Sequence, residues 1–333
     1  MRVCIYGAGA IGGTIGARLA MAGHEVSLVA RGAHLEAIRA NGLTLVQGTL
    51  QDGKRDVVRV PASANAADLG PQDVVIIGLK SHTLAPAIAG LAPLLGKDTT
   101  ILTAMNGVPW WFFNNWGGAL AGSRIQACDP DGSLGAAIAP ERVVGGVVFI
   151  AANVPQPGVV HWSSGARFIF GEPSHQPSAR VASLAAAFSD TGIEAVPTDN
   201  IRLEIWMKLL GNLCFNPVSV LTGASTDLML NDRHLWELFT RMMTEAIGVA
   251  NALGLDITIK PEARMAQTRA LGAIKSSMLQ DVEAGRPIEL DSIVGSVVEI
   301  AERLGIATPF INSVYGAVRV RVRAAGLGLY PKQ

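Results

Sequence analysis

An α/β domain over residues 1–197 followed by an all-α domain over 198–333 is the fold the sequence predicts, on three observations. The first 31 residues read strand, G-x-G-x-x-G, helix, strand, the order of a dinucleotide-binding βαβ unit. Strands and helices then alternate to about residue 197. After Asp199 the strand signals stop and only long helical periods remain. The first domain is therefore Rossmann-like.

Arg2 to Tyr6 is a short apolar run with the character of a buried strand, and Gly7-Ala8-Gly9-Ala10-Ile11-Gly12 follows at once. Gly7 permits the tight turn, Gly9 lets backbone approach a pyrophosphate, and Gly12 lets the next helix pack against the strand. That helix runs to about Met21 and a strand follows from Glu25 to Ala30. Gly42 to Gln47, Asp56 to Val60, Asp73 to Gly78 and Thr99 to Ala104 read as strands, with a helix from Thr83 to Leu95. Three more strands are expected at Val143 to Asn153, Gly158 to Trp162 and Arg167 to Phe170. A helix at Ser178 to Asp190 and a strand at Ile193 to Val196 close the domain. Beyond it, Ile201 to Phe215 (stopped by Pro217), Leu235 to Leu253, Pro261 to Glu283, Leu290 to Leu304 and Pro309 to Ala325 are helical, with Gly254, Gly285 and Gly305 as stops.

The end of the second strand discriminates between dinucleotides. NAD binders carry an acid about 20 residues past the glycines, bonded to the ribose 2′-hydroxyl. Here Leu28-Val29-Ala30-Arg31-Gly32 has none: Glu25 begins the strand and Glu36 lies in the next helical segment. Arg31 can fork onto a 2′-phosphate, so NADP(H) is the expected cofactor.

Lys plus Arg equals Asp plus Glu, 27 against 27, so no net basic field draws nucleic acid or an anionic membrane. Arg319, Arg321 and Arg323 read as a solvated helix face. No secretory signal is expected at the N-terminus, and no apolar run approaches the roughly 20 residues that span a bilayer. Cys4, Cys128 and Cys214 are scattered without metal-ligand spacing, as core cysteines of a reducing cytoplasm would be. No metal is expected, and 49% apolar residues leave room for a homodimer.

The segment Ile201 to Phe215 is apolar almost all round, so its polar residues need a reason. Lys208, Asn212 and Asn216 recur at i, i+4 and i+8 and line one strip about two turns long. An ion pair of Lys208 with Glu204 would explain the lysine but not two amides on its strip. A third constellation, Ser276-Ser277-Met278-Leu279-Gln280-Asp281 with Ile288-Glu289-Leu290-Asp291, spans the end of one expected helix and the first turn of the next. Spacing alone assigns these residues no chemistry.

Together, G-A-G-A-I-G, Arg31, G-L-K ending at Lys80, M-N-G at Asn106, I-R-L-E-I-W-M-K-L-L-G-N-L-C-F-N-P and S-S-M-L-Q-D with I-E-L-D resemble the ketopantoate reductases over nearly the whole chain. The resemblance implies an NADPH-dependent 2-dehydropantoate 2-reductase, forming (R)-pantoate for pantothenate and coenzyme A. It implies Lys208 as general acid at the ketone, with Asn106, Asn212, Asn216 and Ser277 contacting a 2-oxo acid substrate. Gly7, Ala8, Gly9, Ala10, Ile11, Gly12, Arg31, Lys80, Asn106 and the backbone near Ala152 would hold NADPH. Glu289 would lie where cofactor meets substrate.

Two departures accompany the resemblance. Val108 to Trp116 is a bulky aromatic block, and the stretch from 108 to Glu141 looks like an insertion. The block is expected to cover a substrate cleft or a subunit contact, since two adjacent exposed indoles would leave a large apolar area in water; the alternative is plain core under a loop. Thr226 stands roughly where a substrate-contacting Asn is expected. The alternatives are a reductase of another branched 2-oxo acid, for which the block is the motive, and a non-catalytic NADP(H) sensor, which needs no buried proton donor.

Overall fold

The computed structural model describes residues 1–327. The described chain divides into two compact units: residues 1–105, 111–122 and 132–201 form one, and 106–110, 123–131 and 202–327 form the other.

The first unit is α/β. Its elements are β1 (Arg2–Tyr6), α1 (Ala10–Met21), β2 (Glu25–Val29), α2 (Gly32–Asn41), β3 (Leu43–Gln47), β4 (Lys54–Val58) and β5 (Ala62–Ser63). Then come β6 (Gln72–Ile77), α3 (Ser81–Ala87), β7 (Leu95–Thr103), α4 (Ser133–Ala137), β8 (Val143–Gln156), β9 (Val159–Gly171), α5 (Ala179–Ala187) and β10 (Glu194–Pro197). One sheet runs in the order β4-β3-β9-β8-β7-β6-β1-β2-β5, with β10 beside β9. β1 is parallel to both its neighbours, β2 and β6, and Val3 to Tyr6 are buried because helices cover both faces of such a strand. The chain leaves β1 through α1 for β2 on one side and returns as β6 on the other. The carboxyl end of β1 is thus the switch point at which open α/β sheets bind ligands.

Two expectations for this unit change. The helix predicted over Thr83 to Leu95 is α only to Ala87 and continues as a 3-10 segment, Ile88–Leu94, because Pro86 and Pro93 remove backbone donors. The two strands predicted at 158–162 and 167–170 are one continuous strand, β9, which pairs antiparallel with β8 along its length through several register shifts.

The aromatic block is a third correction. Trp110, Trp111, Phe112 and Phe113 are all buried, the last three completely. Trp111 lies against Gly145 of β8, where a Cβ would collide with its ring, and Phe112 and Phe113 meet edge to face with centroids 5.3 Å apart. The indoles of Trp110 and Trp111 are therefore covered by this chain itself and form core, while Trp116 is half-buried. Between residues 106 and 132 the segment forms turns only, and its pieces are divided between the two units.

The second unit is helical: α6 (Ile201–Thr222), α7 (Thr226–Asn231), α8 (Arg233–Ala252), α9 (Pro261–Arg269), α10 (Ser277–Glu283), a π-turn at Asp291–Gly295 leading into α11 (Ser296–Leu304), and α12 (Pro309–Ala324). Among the described residues no helix is long and apolar enough to cross a membrane. α6 anchors the unit: Trp206 donates to the Ala246 carbonyl of α8 at 3.1 Å, and Phe215 meets Phe239 edge-on with centroids 4.8 Å apart.

Pro217 does not stop α6, which continues five residues beyond it. An internal proline costs about 3 kcal/mol, but the extra turn buries Val218 and Val220, each worth roughly 1.5–3 kcal/mol. Packing wins. The single helix predicted over Pro261 to Glu283 is two helices. Gly272, at φ +79°, breaks the first, and the Ser276 hydroxyl caps the second by accepting from Leu279 N at 3.1 Å.

Candidate active site

In the α/β unit the glycine turn leaves β1 at the switch point. Gly7 has φ +103°, a conformation that L side chains rarely adopt. A Cβ on Gly12 would sit 2.3 Å from the Gly7 carbonyl, so α1 can approach the turn only with glycine there. Gly9 differs from both: its φ is ordinary and a Cβ there would meet nothing within 4 Å. Gly9 is the N-cap of α1, whose first turn carries neither a side-chain cap nor an acid. Unpaired first-turn N–H groups, the positive end of the helix dipole and open space above Gly9 together fit a dinucleotide's pyrophosphate.

Arg31, the N-cap residue of α2, is exposed just past the end of β2. Glu25 is at the opposite end of β2, and Glu36 lies 3.9 Å from Arg39 on the exposed face of α2. No carboxylate of this stretch stands at the strand tip to take a ribose 2′-hydroxyl. Lys80 is the N-cap residue of α3, one residue past the Leu79 side chain that packs over Gly7. Ala152 stands on β8 opposite Trp162, in the hairpin with β9.

The helical unit holds the second group. Lys208 Nζ donates to Asn106 Oδ1 at 2.8 Å, and Asn106 Nδ2 donates to Glu289 Oε2 at 3.3 Å. The two bonds settle which end of the amide is oxygen, since a lysine can only donate and a carboxylate only accept. Burial brings the Lys208 ammonium down from 10.5 to about 8, with Glu289 pulling the other way. Asn106 is held by its successors. Val108 N–H donates to the Ser292 carbonyl at 2.8 Å, and Gly107, at φ +79°, lies so close to the π-turn that a Cβ would be 2.3 Å from that same oxygen. Glu289 immediately precedes the helix that opens with the π-turn, rather than lying in its first turn. A π-turn widens the helix locally and is frequent at functional sites.

Asn212 is half-buried and Asn216 is 5% exposed, further along the same strip of α6. The Nδ2 of Asn216 is buried and has no hydrogen-bond acceptor among the described residues, a cost of about 1–3 kcal/mol that a bound oxygen would remove. Ser277, the first residue of α10, is exposed. Its neighbour Ser276 is buried and shares a 2.6 Å hydrogen bond with Ser219 of α6. This pair joins the α6 strip to the start of α10, and spacing gave no sign of it beyond the N-cap preference of serine. Thr226 is committed elsewhere: its hydroxyl donates to Gly272 O at 2.8 Å and accepts from Ile274 N at 3.0 Å, so it shapes the loop before α10.

A glycine turn at a parallel-sheet switch point and a buried lysine tied to an amide and a carboxylate define a dinucleotide-dependent oxidoreductase. Comparison with known proteins makes the class specific. The family model described as ketopantoate reductase PanE/ApbA matches residues 3–109, and the model of its C-terminal region matches residues 200–322. A 2-dehydropantoate 2-reductase of Mesorhizobium japonicum is 45% identical over 96% of this chain and 97% of its own length. A crystal structure from Ralstonia solanacearum MolK2, of a candidate ketopantoate reductase, superposes with a TM-score of 0.92 at 44% identity, covering 99% of both chains. That of 2-dehydropantoate 2-reductase from Geobacter metallireducens GS-15 gives 0.84 at 30% identity, covering 96% and 99%. The chain belongs to the ketopantoate reductase family.

Proposed function

We propose that this chain reduces 2-dehydropantoate to (R)-pantoate with NADPH, the step that feeds pantothenate and coenzyme A synthesis. The observation that carries the reading is Lys208: a buried ammonium held by Asn106, with its pKa lowered to about 8. A proton donor so prepared suits a ketone whose oxygen must become a hydroxyl. The 45% identical Mesorhizobium 2-dehydropantoate 2-reductase supports the same substrate. Burial of Trp110 to Phe113 in the core weakens the motive for a different branched 2-oxo acid.

When bound, NADPH supplies the hydride. The chain's own part is placement and proton transfer. Lys208 polarises the substrate carbonyl and donates its proton as the oxygen gains charge. Asn106 fixes the direction in which the ammonium points, and the Glu289 carboxylate favours its charged form. The unpartnered Asn216 amide donates to a substrate oxygen, with Asn212 and Ser277 as further polar contacts. Gly7 to Gly12 hold the pyrophosphate, Arg31 the 2′-phosphate, and Lys80, Asn106 and the backbone near Ala152 the rest of the cofactor. The three cysteines are free and buried, which suits the cytoplasm. Homodimerisation is part of the proposal, to be read by sedimentation.

The test is NADPH oxidation by purified protein against a panel of 2-oxo acids. Ketopantoate should give the highest kcat/KM. A higher value for another acid, or no turnover with any, overturns the reading.

A further inference from the structure

His34 lies in the first turn of α2, three residues after Arg31, and its two ring nitrogens are used in opposite senses. Gly158 N–H, in the turn between β8 and β9, donates to His34 Nδ1 at 3.0 Å. The other nitrogen, Nε2, lies 2.9 Å from the carbonyl oxygen of Ala8, inside the glycine turn. Because Nδ1 accepts, the ring proton of the neutral imidazole is on Nε2, and it is donated to Ala8. We infer that His34 is a positioning residue for the cofactor: it locks the Ala8–Gly9 peptide of the pyrophosphate turn and ties that turn to the helix that carries Arg31. The inference rests on the proposal that this turn and Arg31 bind NADPH.

The physical reason lies in the peptide plane. In a trans peptide the C=O of one residue and the N–H of the next point in opposite directions. Holding the Ala8 carbonyl toward His34 therefore turns the Gly9 N–H away from α2. Among the described residues that N–H makes no backbone hydrogen bond, and the space beside Gly9 is open. A donor so aimed, at the N-terminus of α1, is oriented before an anion arrives. Without the bond to His34, the Ala8–Gly9 plane could rotate and the donor would have to be ordered on binding. The far end of the tie is firm as well, because Gly158, at φ +77°, packs so closely on α2 that a Cβ would be 2.9 Å from Ala37. The pyrophosphate turn, the start of α2 and the β8–β9 turn thus meet on one imidazole.

The test compares His34→Leu with His34→Gln. A glutamine amide carries an acceptor and a donor separated about as the two ring nitrogens are, so it can replace both bonds, whereas leucine replaces neither. With Leu, the Kd and KM for NADPH should rise about tenfold, the scale of one well-aligned hydrogen bond. The kcat at saturating NADPH and the KM for the keto acid should stay the same. With Gln, NADPH affinity should return to within about threefold of the parent. Unchanged affinity in the Leu variant, or equal losses in Leu and Gln, overturns the inference, the latter because ring packing would then be the cause. Should the Leu variant not fold, ring-15N spectra of the unmodified protein decide instead. An Nε2–H tautomer at His34 whose signals move on adding NADP⁺ is expected, and an Nδ1–H tautomer or an unmoved signal sinks the idea. If the unmodified protein fails to bind NADPH, the cofactor reading fails, while the same spectra still report whether the tie exists.

Discussion

The glycine turn and the Lys208 network build their sites from opposite materials. The turn works with backbone: what matters at Gly9 and Gly12 is the absence of a side chain, and the groups offered to a ligand are N–H dipoles. The network works with side chains, an ammonium, an amide and a carboxylate brought from three distant stretches of chain. A backbone site tolerates no added atoms but asks little of neighbouring charge. A side-chain site depends on neighbours to set both direction and pKa. The first is suited to gripping a large constant ligand and the second to a reaction in which charge develops.

Substitutions should separate the two. The largest effect is expected of Lys208→Ala, which should lower kcat by about two to four orders of magnitude, the usual worth of a general acid. The Kd for NADPH, read by fluorescence, should barely move. A parallel loss of NADPH binding would break the division between the regions.

Gly9→Ala should do the reverse. Its backbone conformation is ordinary and the added methyl has room, so Tm should hold. Lost approach of the phosphates should raise the Kd for NADPH at least tenfold, about 1.4 kcal/mol. Gly12→Ala, with its contact to the Gly7 carbonyl, should instead lower Tm. Identical behaviour of the two variants would show that the turn is only a packing device.

Arg31→Asp should erode or reverse a preference for NADPH over NADH that is at least tenfold in the unmodified protein, again about 1.4 kcal/mol. Equal Kd values for the two cofactors before mutation would remove Arg31 from the site. The gentlest probe is pH. Only the ammonium form of Lys208 carries the needed proton, so kcat/KM for the keto acid should fall as pH rises through about 8. Glu289→Gln removes the influence that raises this pKa, and the falling limb should move to lower pH. A profile flat to pH 10 would deny Lys208 the role of acid.

Much of the glycine turn was legible because its demands are local: tight turn, close approach and helix start fall within six residues. The strip of Lys208, Asn212 and Asn216 was legible too, since helical period alone places them on one face. What spacing could not reveal were partners set by tertiary contact. Nothing near Asn106 in sequence points to Glu289, 183 positions away, or to a π-turn as its support. The persistence of α6 past Pro217 and the burial of Trp111 were misjudged for one reason. Local rules weigh proline and exposed indoles by themselves, whereas buried neighbours such as Val218 and Gly145 decide the outcome. The α9–α10 break was readable in principle, from a glycine followed four residues later by a capping serine.

Because the Val108 N–H finds its acceptor on Ser292, the lysine's surroundings are assembled late in the life of a new chain. A ribosome has already made the whole α/β unit, and Lys208 itself, before Glu289 and the π-turn emerge. Until then the ammonium lacks its carboxylate and the Asn106 segment lacks its seat. Closing so long a loop costs only modestly more entropy than closing a short one, but it delays the contact. A chain ended ahead of residue 289 leaves Asn106 without its seat and Lys208 without its carboxylate, so it should lose turnover.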